Sequence, residues 1–210
     1  MGKSTIAQVR KSLKTLLAIS LMLILTIHLF QFGVTCESQN LEAKESMGWS
    51  ENIELSEGSE NYARQPSIAV SSGNTHVVWS DYSVGNREIF YRKSLYNGAV
   101  WNDTKRLTFN DSYSSQPIVV INGSNVHVVW TDLRSGFSEI YYKKSTDNGD
   151  TWTGDIPLTS DDGYTSQNPD ICVCGSNVHV VWEDHENDNQ PEIYYKNSTD
   201  GGGVGVIICG

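Results

Sequence analysis

The chain has 210 residues, a length that favours one domain with or without a short appendage. It carries 25 acidic and 15 basic residues, for a formal net charge of −10, and its lysines and arginines are scattered. A nucleic-acid-binding protein needs a basic face to meet phosphates, so this class is excluded. The 10% aromatic content indicates a folded domain rather than a disordered one. Four cysteines are too few for a disulfide framework.

Residues 1–35 have the pattern of a targeting segment. Four basic residues precede an apolar run over residues 16–32, which is predicted to be a hydrophobic helix. Such a segment is typical of a cleaved signal peptide or of a membrane anchor, and both alternatives stay open, as does lipidation at Cys36. In each case the basic flank remains cytoplasmic and the rest is exported. The sequence therefore predicts an extracellular protein, secreted or anchored to the outer face of the cytoplasmic membrane.

Residues 36–48 are polar without periodicity and are predicted to be a linker. Asn-x-Ser/Thr triplets follow in the body of the chain, as expected for an exported glycoprotein. They begin at Asn102, Asn110, Asn122 and Asn197.

The body, residues 49–202, is one unit written three times. A His-Val-Val-Trp run and a Glu-Ile-aromatic-Tyr run both recur in every unit, after a proline-led apolar run. The tryptophans Trp79, Trp130 and Trp182 step by 130 − 79 = 51 and 182 − 130 = 52 residues. Short β-branched and aromatic runs, repeating about every fifty residues between Gly/Asn/Asp turns, are typical of β-propeller blades. The fold class is therefore all-β, with four-stranded antiparallel blades.

The fourth strand of each blade is predicted after a hairpin, over residues 101–109 and 152–160. A third copy of this strand lies upstream, at residues 49–56. A first strand that completes the last blade would leave no sheet edge open, as in circularly closed propellers. The tail, residues 203–210, resembles no earlier part of the chain.

Three blades are fewer than the four of the smallest closed propellers. Two explanations stay open. The chain is a shortened version of a longer propeller, or two chains pair as a homodimer to give a six-blade ring.

The hairpin over residues 145–152 has residues suited to a tight turn. Asp147 and Ser145 can accept turn N–H groups, Gly149 can take a positive φ, and Trp152 is predicted to place its ring under the turn. The other two units keep part of this pattern, with Tyr96 in place of the aspartate and Gly205 in place of the tryptophan. The matching residues are Ser94, Gly98 and Trp101 in the first unit, and Ser198, Asp200 and Gly202 in the third.

The spacing Ser-x-Asp-x-Gly-x-x-Trp resembles the Asp-box, or BNR repeat, of sialidase-like β-propellers. In that family the box marks a blade hairpin rather than a chemistry, so the resemblance implies fold more than function. Arg64, ahead of Gln65-Pro66, resembles the arginine of the sialidase Arg-Ile-Pro motif, which binds a substrate carboxylate. Arg64, Arg87 and Arg134 are predicted to share the blade face opposite the boxes, where sialidases have their site.

Paired carboxylates point to a glycosidase, and Asp81 and Glu88 are the first such pair. However, an aspartate recurs at Asp132 and Asp184, and a glutamate at Glu139 and Glu192. A catalytic residue is usually singular, so we expect the aspartates to cap the turn after the second strand. Packing roles are likewise expected for the recurring histidines, and Cys172 and Cys174 are expected to be buried or idle thiols. The histidines are His76, His127 and His179.

The third unit has an acidic loop over residues 183–190. Asp184, Glu186 and Asp188 would offer oxygen ligands to Ca²⁺, although the loop lacks the central glycine of an EF-hand. No other cofactor is predicted. The leading hypothesis is an exported, non-catalytic propeller module that binds an extracellular glycan or protein. The alternative is an exo-α-sialidase-like glycoside hydrolase, or a fragment of one.

Overall fold

The computed structural model describes residues 48–56, 62–187 and 190–203, in which strands and turns but no helix occur. The chain divides into two units, 1–52 and 53–210. The described part of the first unit, residues 48–52, is irregular and exposed. The predicted targeting segment, most of the linker and residues 204–210 lie outside the described residues. Within the described ranges, no helix has the length and apolar character of a membrane span.

The second unit contains three antiparallel sheets, each made of strands that are consecutive in the chain. The first sheet contains β1 (Arg64–Ser71), β2 (Asn74–Asp81), β3 (Glu88–Leu95), β4 (Val100–Trp101) and β5 (Lys105–Arg106). The second contains β6 (Ser114–Asn122), β7 (Asn125–Asp132), β8 (Glu139–Ser145) and β9 (Ile156–Pro157). The third contains β10 (Ser166–Cys174), β11 (Asn177–Asn187) and β12 (Gln190–Ser198).

The His-Val-Val-Trp runs form the central strands. Val77 to Asp81 of β2 are all buried, and so are Val126 to Asp132 of β7. A strand covered on only one face would alternate buried and exposed side chains, so these runs are covered on both faces. The apolar sequence of each run therefore follows from its place in the middle of its sheet.

The outer strands are shorter than the sequence predicts. The range 101–109 contributes only the end of β4 and the two residues of β5, and 152–160 contributes only β9. Asn102 to Thr104 and Gly154 to Asp155 interrupt them, and most of these residue types are poor strand formers. Residues 49–56 form no strand, so among the described residues nothing pairs with the free edge of β12.

The sheets pack face to face through two apolar clusters, which we call the first junction (first sheet on second) and the second junction (second sheet on third). Full burial of one such side chain contributes about 1.5–3 kcal/mol. The first junction contains Val78, Ile89, Tyr91, Leu107, Val119, Val126, Val128 and Trp130. The second contains Val129, Ile140, Tyr142, Ile171, Val178, Val180 and Trp182.

A repeated cation–carbonyl contact also joins neighbouring units. Lys143 Nζ donates to the carbonyl of Leu107, and Lys196 Nζ to that of Leu158. Arg92 Nη1 donates to the carbonyl of Leu55 at 3.1 Å. Residues 53–56 therefore lie against the first sheet as the outer segments of the first two units lie against the sheets that follow them.

A polar ladder along the first strands was not predicted. Gln65, Gln116 and Asn168 each precede a proline, have φ of 53–54°, and lie at a register shift of the sheet. Gln65 Oε1 accepts the backbone N–H of Gln116 at 3.0 Å, and Gln116 Oε1 accepts that of Asn168 at 3.2 Å. The strained residues of consecutive units are therefore linked by hydrogen bonds between neighbouring sheets.

Candidate functional site

A cleft opens at one end of the first sheet. It is formed by Tyr62 and the first residue of β1 on one side and by the loop between β2 and β3 on the other, and its volume is about 540 Å³. The sequence predicts that these two loops share a face, because β1 and β2 are antiparallel. The cleft is lined by Tyr62, Arg64, Tyr82, Gly85 and Arg87.

Both arginines of this cleft stack on tyrosines. The guanidinium of Arg64 lies 5.2 Å from the ring centroid of Tyr62, and that of Arg87 lies 4.9 Å from the ring of Tyr82. Within the described part of the chain, Nε of Arg87 is buried without a hydrogen-bond partner. Stacking orients a guanidinium while leaving its in-plane N–H donors available. The cleft can therefore present donors to an anion between two aromatic rings.

Tyrosines recur on this face. Tyr62, Tyr113 and Tyr164 precede the first strands of the three sheets at intervals of 113 − 62 = 51 and 164 − 113 = 51 residues, and all are exposed. Tyr113 meets Tyr82 edge to face at 5.7 Å. This row was not predicted, although the interval of about fifty residues between the tyrosines is visible in the sequence.

Arg134 does not line the cleft. Its Nη2 lies 2.7 Å from Oδ2 of Asp132, its Nη1 lies 2.8 Å from Oδ2 of Asp155, and its guanidinium lies 4.3 Å from the ring of Tyr141. The donors of Arg134 are therefore used in ion pairs. Of the three predicted arginines, the structure brings together Arg64 and Arg87.

The recurring aspartates hold the tryptophans and the turns that follow them. The Trp79, Trp130 and Trp182 indoles donate to the aspartates two residues later at 3.2, 2.8 and 3.0 Å. The other carboxylate oxygen accepts a turn N–H, as that of Asp81 accepts Ser83 N at 2.8 Å. Asp81, like Asp132 and Asp184, therefore makes the turn contacts that its recurrence led us to expect.

Glu88 and Asp132 form a carboxylate pair at the first junction. Both are buried, and Ser114 Oγ lies 3.4 Å from Glu88 Oε2 and 2.9 Å from Asp132 Oδ2. Arg106 Nη2 pairs with Glu88 at 2.8 Å, and Arg134 pairs with Asp132. Burial would raise the pKa of Asp132, but hydrogen bonds from the Arg134 side chain and then the Trp130 indole hold it below its ordinary value. Each carboxylate of this pair has its own cation.

Glu139 and Asp184 hold the same positions at the second junction, without those cations. Pro157 pairs with Tyr141 where Arg106 pairs with Phe90, and Glu186 follows Asp184 where Arg134 follows Asp132. Phe137 also replaces Asn86, whose amide donates to Glu88 at 2.9 Å. The second pair has therefore lost two cations and one amide donor.

Glu139 is the residue most affected by the absence of these partners. It is 2% exposed; Oε2 accepts the Thr159 hydroxyl, and Oε1 has no hydrogen-bond partner among the described residues. Burial is the main cause that raises its pKa above the ordinary glutamate value, and the charges of Asp162, Asp161 and Asp184 raise it further. A neighbouring cleft of about 390 Å³ is lined in part by Thr159, Asp162 and Asp184.

Two of the acidic residues predicted to bind Ca²⁺, Asp184 and Glu186, accept hydrogen bonds within the third sheet. Asp184 Oδ1 accepts the Glu186 N–H at 3.2 Å, and Glu186 Oε2 accepts the Tyr194 hydroxyl at 2.7 Å. Asp188 lies outside the described residues. Among the residues described, no group of three or more His, Cys, Asp or Glu side chains is placed to hold a metal ion.

The hairpin over residues 145–152 has the predicted turn bonds. Ser145 Oγ accepts the Gly149 N–H at 2.8 Å, and Asp147 Oδ1 accepts that of Thr151 at 2.8 Å. In the third unit, Ser198 Oγ accepts the Gly202 N–H at 2.9 Å. In the first unit, Ser94 Oγ instead donates to the carbonyl of Val100 at 2.8 Å.

Trp152 has a contact that the sequence did not predict. Its ring meets Tyr91 of the preceding sheet edge to face at 5.1 Å, and its buried indole N–H has no partner among the described residues. A Cβ built on Gly149 would lie 1.8 Å from Tyr91 Oη. The hairpin therefore packs against the preceding sheet.

The histidines support this packing. His76 Nδ1 lies 2.8 Å from Tyr91 Oη, and His127 Nδ1 lies 2.7 Å from Tyr142 Oη. Burial, followed by the charges of Lys93 and Lys144 respectively, lowers the pKa of both histidines to about 4. Cys172 and Cys174 are free and exposed.

Several solved glycoside hydrolases are similar to the chain in structure. A family 117 enzyme of the marine bacterium Zobellia galactanivorans shares 13% identity over 72% of this chain and 56% of its own, with a TM-score of 0.51. An α-L-arabinofuranosidase of Fusarium graminearum shares 14% identity over 65% of this chain and 46% of its own, with a TM-score of 0.50. A family 43 endo-arabinanase of Bacillus licheniformis shares 13% identity over 67% and 55%, with a TM-score of 0.46.

No family model matches the sequence, and no curated protein matches it. The chain spans about half the length of the solved proteins it resembles. Those proteins are β-propellers, and at such low identity the likeness concerns the fold alone. The chain has an all-β, propeller-like fold.

Proposed function

We propose that the chain is an exported, non-catalytic propeller module that binds an acidic extracellular glycan in the cleft between Arg64 and Arg87. The observation that carries the proposal is the pair of tyrosine-stacked guanidiniums in one cleft. An arginine fork matches a carboxylate or sulfate group, and a tyrosine ring packs against the C–H face of a sugar. The proposed export rests on the basic and apolar segment at residues 1–35. The resemblance of residues 145–152 to the Asp-box of sialidase-like β-propellers is consistent with it.

Binding is the favoured activity because the first carboxylate pair is neutralised. Glu88 and Asp132 are tied by Arg106, Arg134 and Ser114. With these bonds in place, neither Glu88 nor Asp132 is free to donate a proton to a sugar or to attack it. The cleft itself offers donors and rings, which are the groups of a binding site.

A glycan array tests the proposal. The full-length chain, labelled and applied to immobilised uronic-acid, sialylated, sulfated and neutral oligosaccharides, should bind acidic members and leave neutral ones. Arg87→Ala should weaken that binding about tenfold or more, because a charge-assisted hydrogen bond contributes about 1.5–3 kcal/mol. Lys105→Ala is the matched control, since Lys105 donates only to the hairpin carbonyls of Gly149 and Asp150. Binding confined to neutral glycans, or equal loss in both variants, would contradict the proposal.

The alternative, a glycoside hydrolase of the sialidase type, is favoured by one observation at the second junction. Glu139 has a raised pKa, an oxygen without a partner among the described residues, and Asp184 as a charged neighbour. A carboxyl with a raised pKa suits the general acid of a glycoside hydrolase, and in sialidases a tyrosine takes the place of the second carboxylate as the nucleophile. In this alternative Arg64 and Arg87 hold the substrate carboxylate. Turnover of a fluorogenic sialoside that disappears in both Glu139→Gln and Arg64→Ala would establish it over the binding module.

A further inference from the structure

The third sheet displays on its surface a side-chain pair that the other two sheets bury. His179 Nδ1 lies 2.8 Å from Tyr195 Oη, as in the corresponding pairs of the first two sheets. Tyr195 is 56% exposed, whereas Tyr91 is 1% and Tyr142 3% exposed. The outward face of the third sheet therefore has the composition of a junction, although no sheet of the described ranges packs on it.

The hairpin glycines show what covers this pair elsewhere. A Cβ on Gly149 would lie 1.8 Å from Tyr91 Oη, and a Cβ on Gly202 would lie 2.1 Å from Tyr142 Oη. Each glycine thus closes directly on the tyrosine of the preceding sheet. Gly98 has the same place in the first hairpin, with φ of +92°, and faces open space. Gly98 and Tyr195 are the two unmatched halves of this contact.

The apolar side chains are unmatched in the same way. Ile68 of β1 is 64% exposed, although Val119 and Ile171 at its position in the other sheets are buried. Ile193 of β12 is 74% exposed, although its counterparts Ile89 and Ile140 are fully buried. The outward faces of the first and third sheets, which the described residues cover only in part, therefore have the composition of the two sides of one junction.

Residues 53–56 correspond to the outer segments that pair with the first and second sheets. Leu107 N donates to Ile89 O at 2.7 Å, and Leu158 N donates to Ile140 O at 2.7 Å. Leu55 corresponds to these leucines, and the acceptor at the corresponding position of the third sheet is Ile193. Residues 53–56 of one chain would give the third sheet of another the outer segment that it lacks among the described residues.

We propose that the free face of the third sheet binds the first sheet of a second copy of this chain, head to tail. Gly98 of one copy then closes on Tyr195 of the other, and Leu55 lies beside Ile193. The surface patches on the two sides differ, so the contact is heterologous, and two copies satisfy both ends when six sheets close into a ring. This inference does not depend on the glycan proposal.

Light scattering of the full-length chain in detergent tests the contact. The wild-type chain should show the mass of a dimer, or of a longer head-to-tail series, up to about 100 µM, above the micromolar range of moderate complexes. Tyr195→Arg should raise the dissociation constant about tenfold or more, because it puts a charge in an apolar contact. Tyr164→Arg, on an exposed loop tyrosine, should have no effect. A monomeric wild-type chain, or association unchanged by Tyr195→Arg with a native circular dichroism spectrum, would overturn the proposal.

Cross-linking separates this contact from association through residues 16–32. At the first junction Lys93 Nζ lies 2.6 Å from Asp150 Oδ1. Asn197 of the third sheet corresponds to Lys93, and Ala99 of the first hairpin corresponds to Asp150, so the proposed contact would bring these two positions together. In a background with the native cysteines changed to serine, mixed Ala99→Cys and Asn197→Cys chains should join through a short bismaleimide. Ala99→Cys mixed with Tyr164→Cys should not. Failure of the first mixture to cross-link would overturn the head-to-tail arrangement.

Discussion

The two junctions have the same framework and opposite electrostatics. In both, a hairpin glycine closes on a histidine-bonded tyrosine, and a glutamate and an aspartate lie buried between the sheets. At the first junction Arg106 and Arg134 pair with the carboxylates. At the second, Glu139 keeps an oxygen without a partner among the described residues.

This difference teaches that recurrence identifies framework, whereas local function is decided by residues that do not recur. The carboxylates belong to every unit, but their state is set by what occupies positions such as 106 and 157. A buried acid without a cation destabilises the fold unless it is protonated or bound. The second junction therefore stabilises the fold less than the first.

The largest effect is expected from adding a methyl group at a shared feature of the junctions. In Gly149→Ala the Cβ would meet Tyr91 Oη, which His76 holds in place, and the alanine would have to keep a φ of +83°. Overpacking and left-handed backbone together should cost about 4 kcal/mol of unfolding free energy. Urea unfolding measures it.

Gly123→Ala is the control for that experiment, because Gly123 also has a positive φ but faces open space. It should lose only about 1 kcal/mol, the cost of the backbone conformation. Equal losses in the two variants would mean that the hairpin does not close on Tyr91.

The next effect is the loss of a cation at the first junction. Arg106→Ala leaves the fully buried Glu88 without its ion pair, which should lower stability by about 3 kcal/mol at pH 7. Arg106→Lys keeps the charge and should lose less. A loss in Arg106→Ala within the range of an ordinary surface substitution would show that the other hydrogen bonds to Glu88 suffice to hold the carboxylate. Their donors are the side chains of Asn86, Thr108 and Ser114 and the Asn110 backbone N–H.

Acidification should weaken both junctions through their histidines. Because burial lowers the pKa of His76 and His127 to about 4, the unfolded chain binds protons first, near the ordinary value of 6.5. The stabilising contribution is complete above about pH 6.5 and is lost as the pH falls towards 4. Between pH 7 and 5 the loss should be about 2 kcal/mol per histidine. Thermal unfolding across this range should become less pH-dependent in His76→Gln, and an unchanged slope would contradict the assignment.

The smallest effect, and the one of opposite sign, is expected at the second junction. Because burial raises the pKa of Glu139, ionisation of its carboxyl opposes folding. This penalty begins to shrink as the pH falls through the raised folded pKa and is gone below the ordinary glutamate value. Glu139→Gln should therefore stabilise the chain by about 1 kcal/mol at pH 7. Glu88→Gln is the matched variant and should destabilise it, since Arg106 would lose its partner. Destabilisation in both would show that the two junctions are electrostatically alike.

Much of the framework could be predicted from the sequence because each unit repeats it. The His-Val-Val-Trp runs locate β2, β7 and β11, and the Glu-Ile runs locate β3, β8 and the middle of β12. Hydrophobic runs of this kind need burial on both faces, which the stacked sheets of this fold provide.

The sites could not be predicted in the same way, because they depend on contacts between distant positions. Arg134 pairs with Asp155, 21 residues away, and no spacing rule separates it from the freely stacked Arg87. The strained Gln65 and its equivalents were also missed, although their recurrence before proline was visible. The broken outer strands were missed because only hydrogen bonding reveals where pairing stops.

The most direct test of the central claim is calorimetric titration of the full-length chain with two matched ligands. One is an oligogalacturonate, and the other is the same oligosaccharide with its carboxylates reduced to alcohols. Binding through Arg64 and Arg87 predicts at least about tenfold tighter binding of the acidic ligand, with the difference lost in Arg87→Ala. Equal affinity for the two ligands, or a preference for the acidic one that survives in Arg87→Ala, would contradict it.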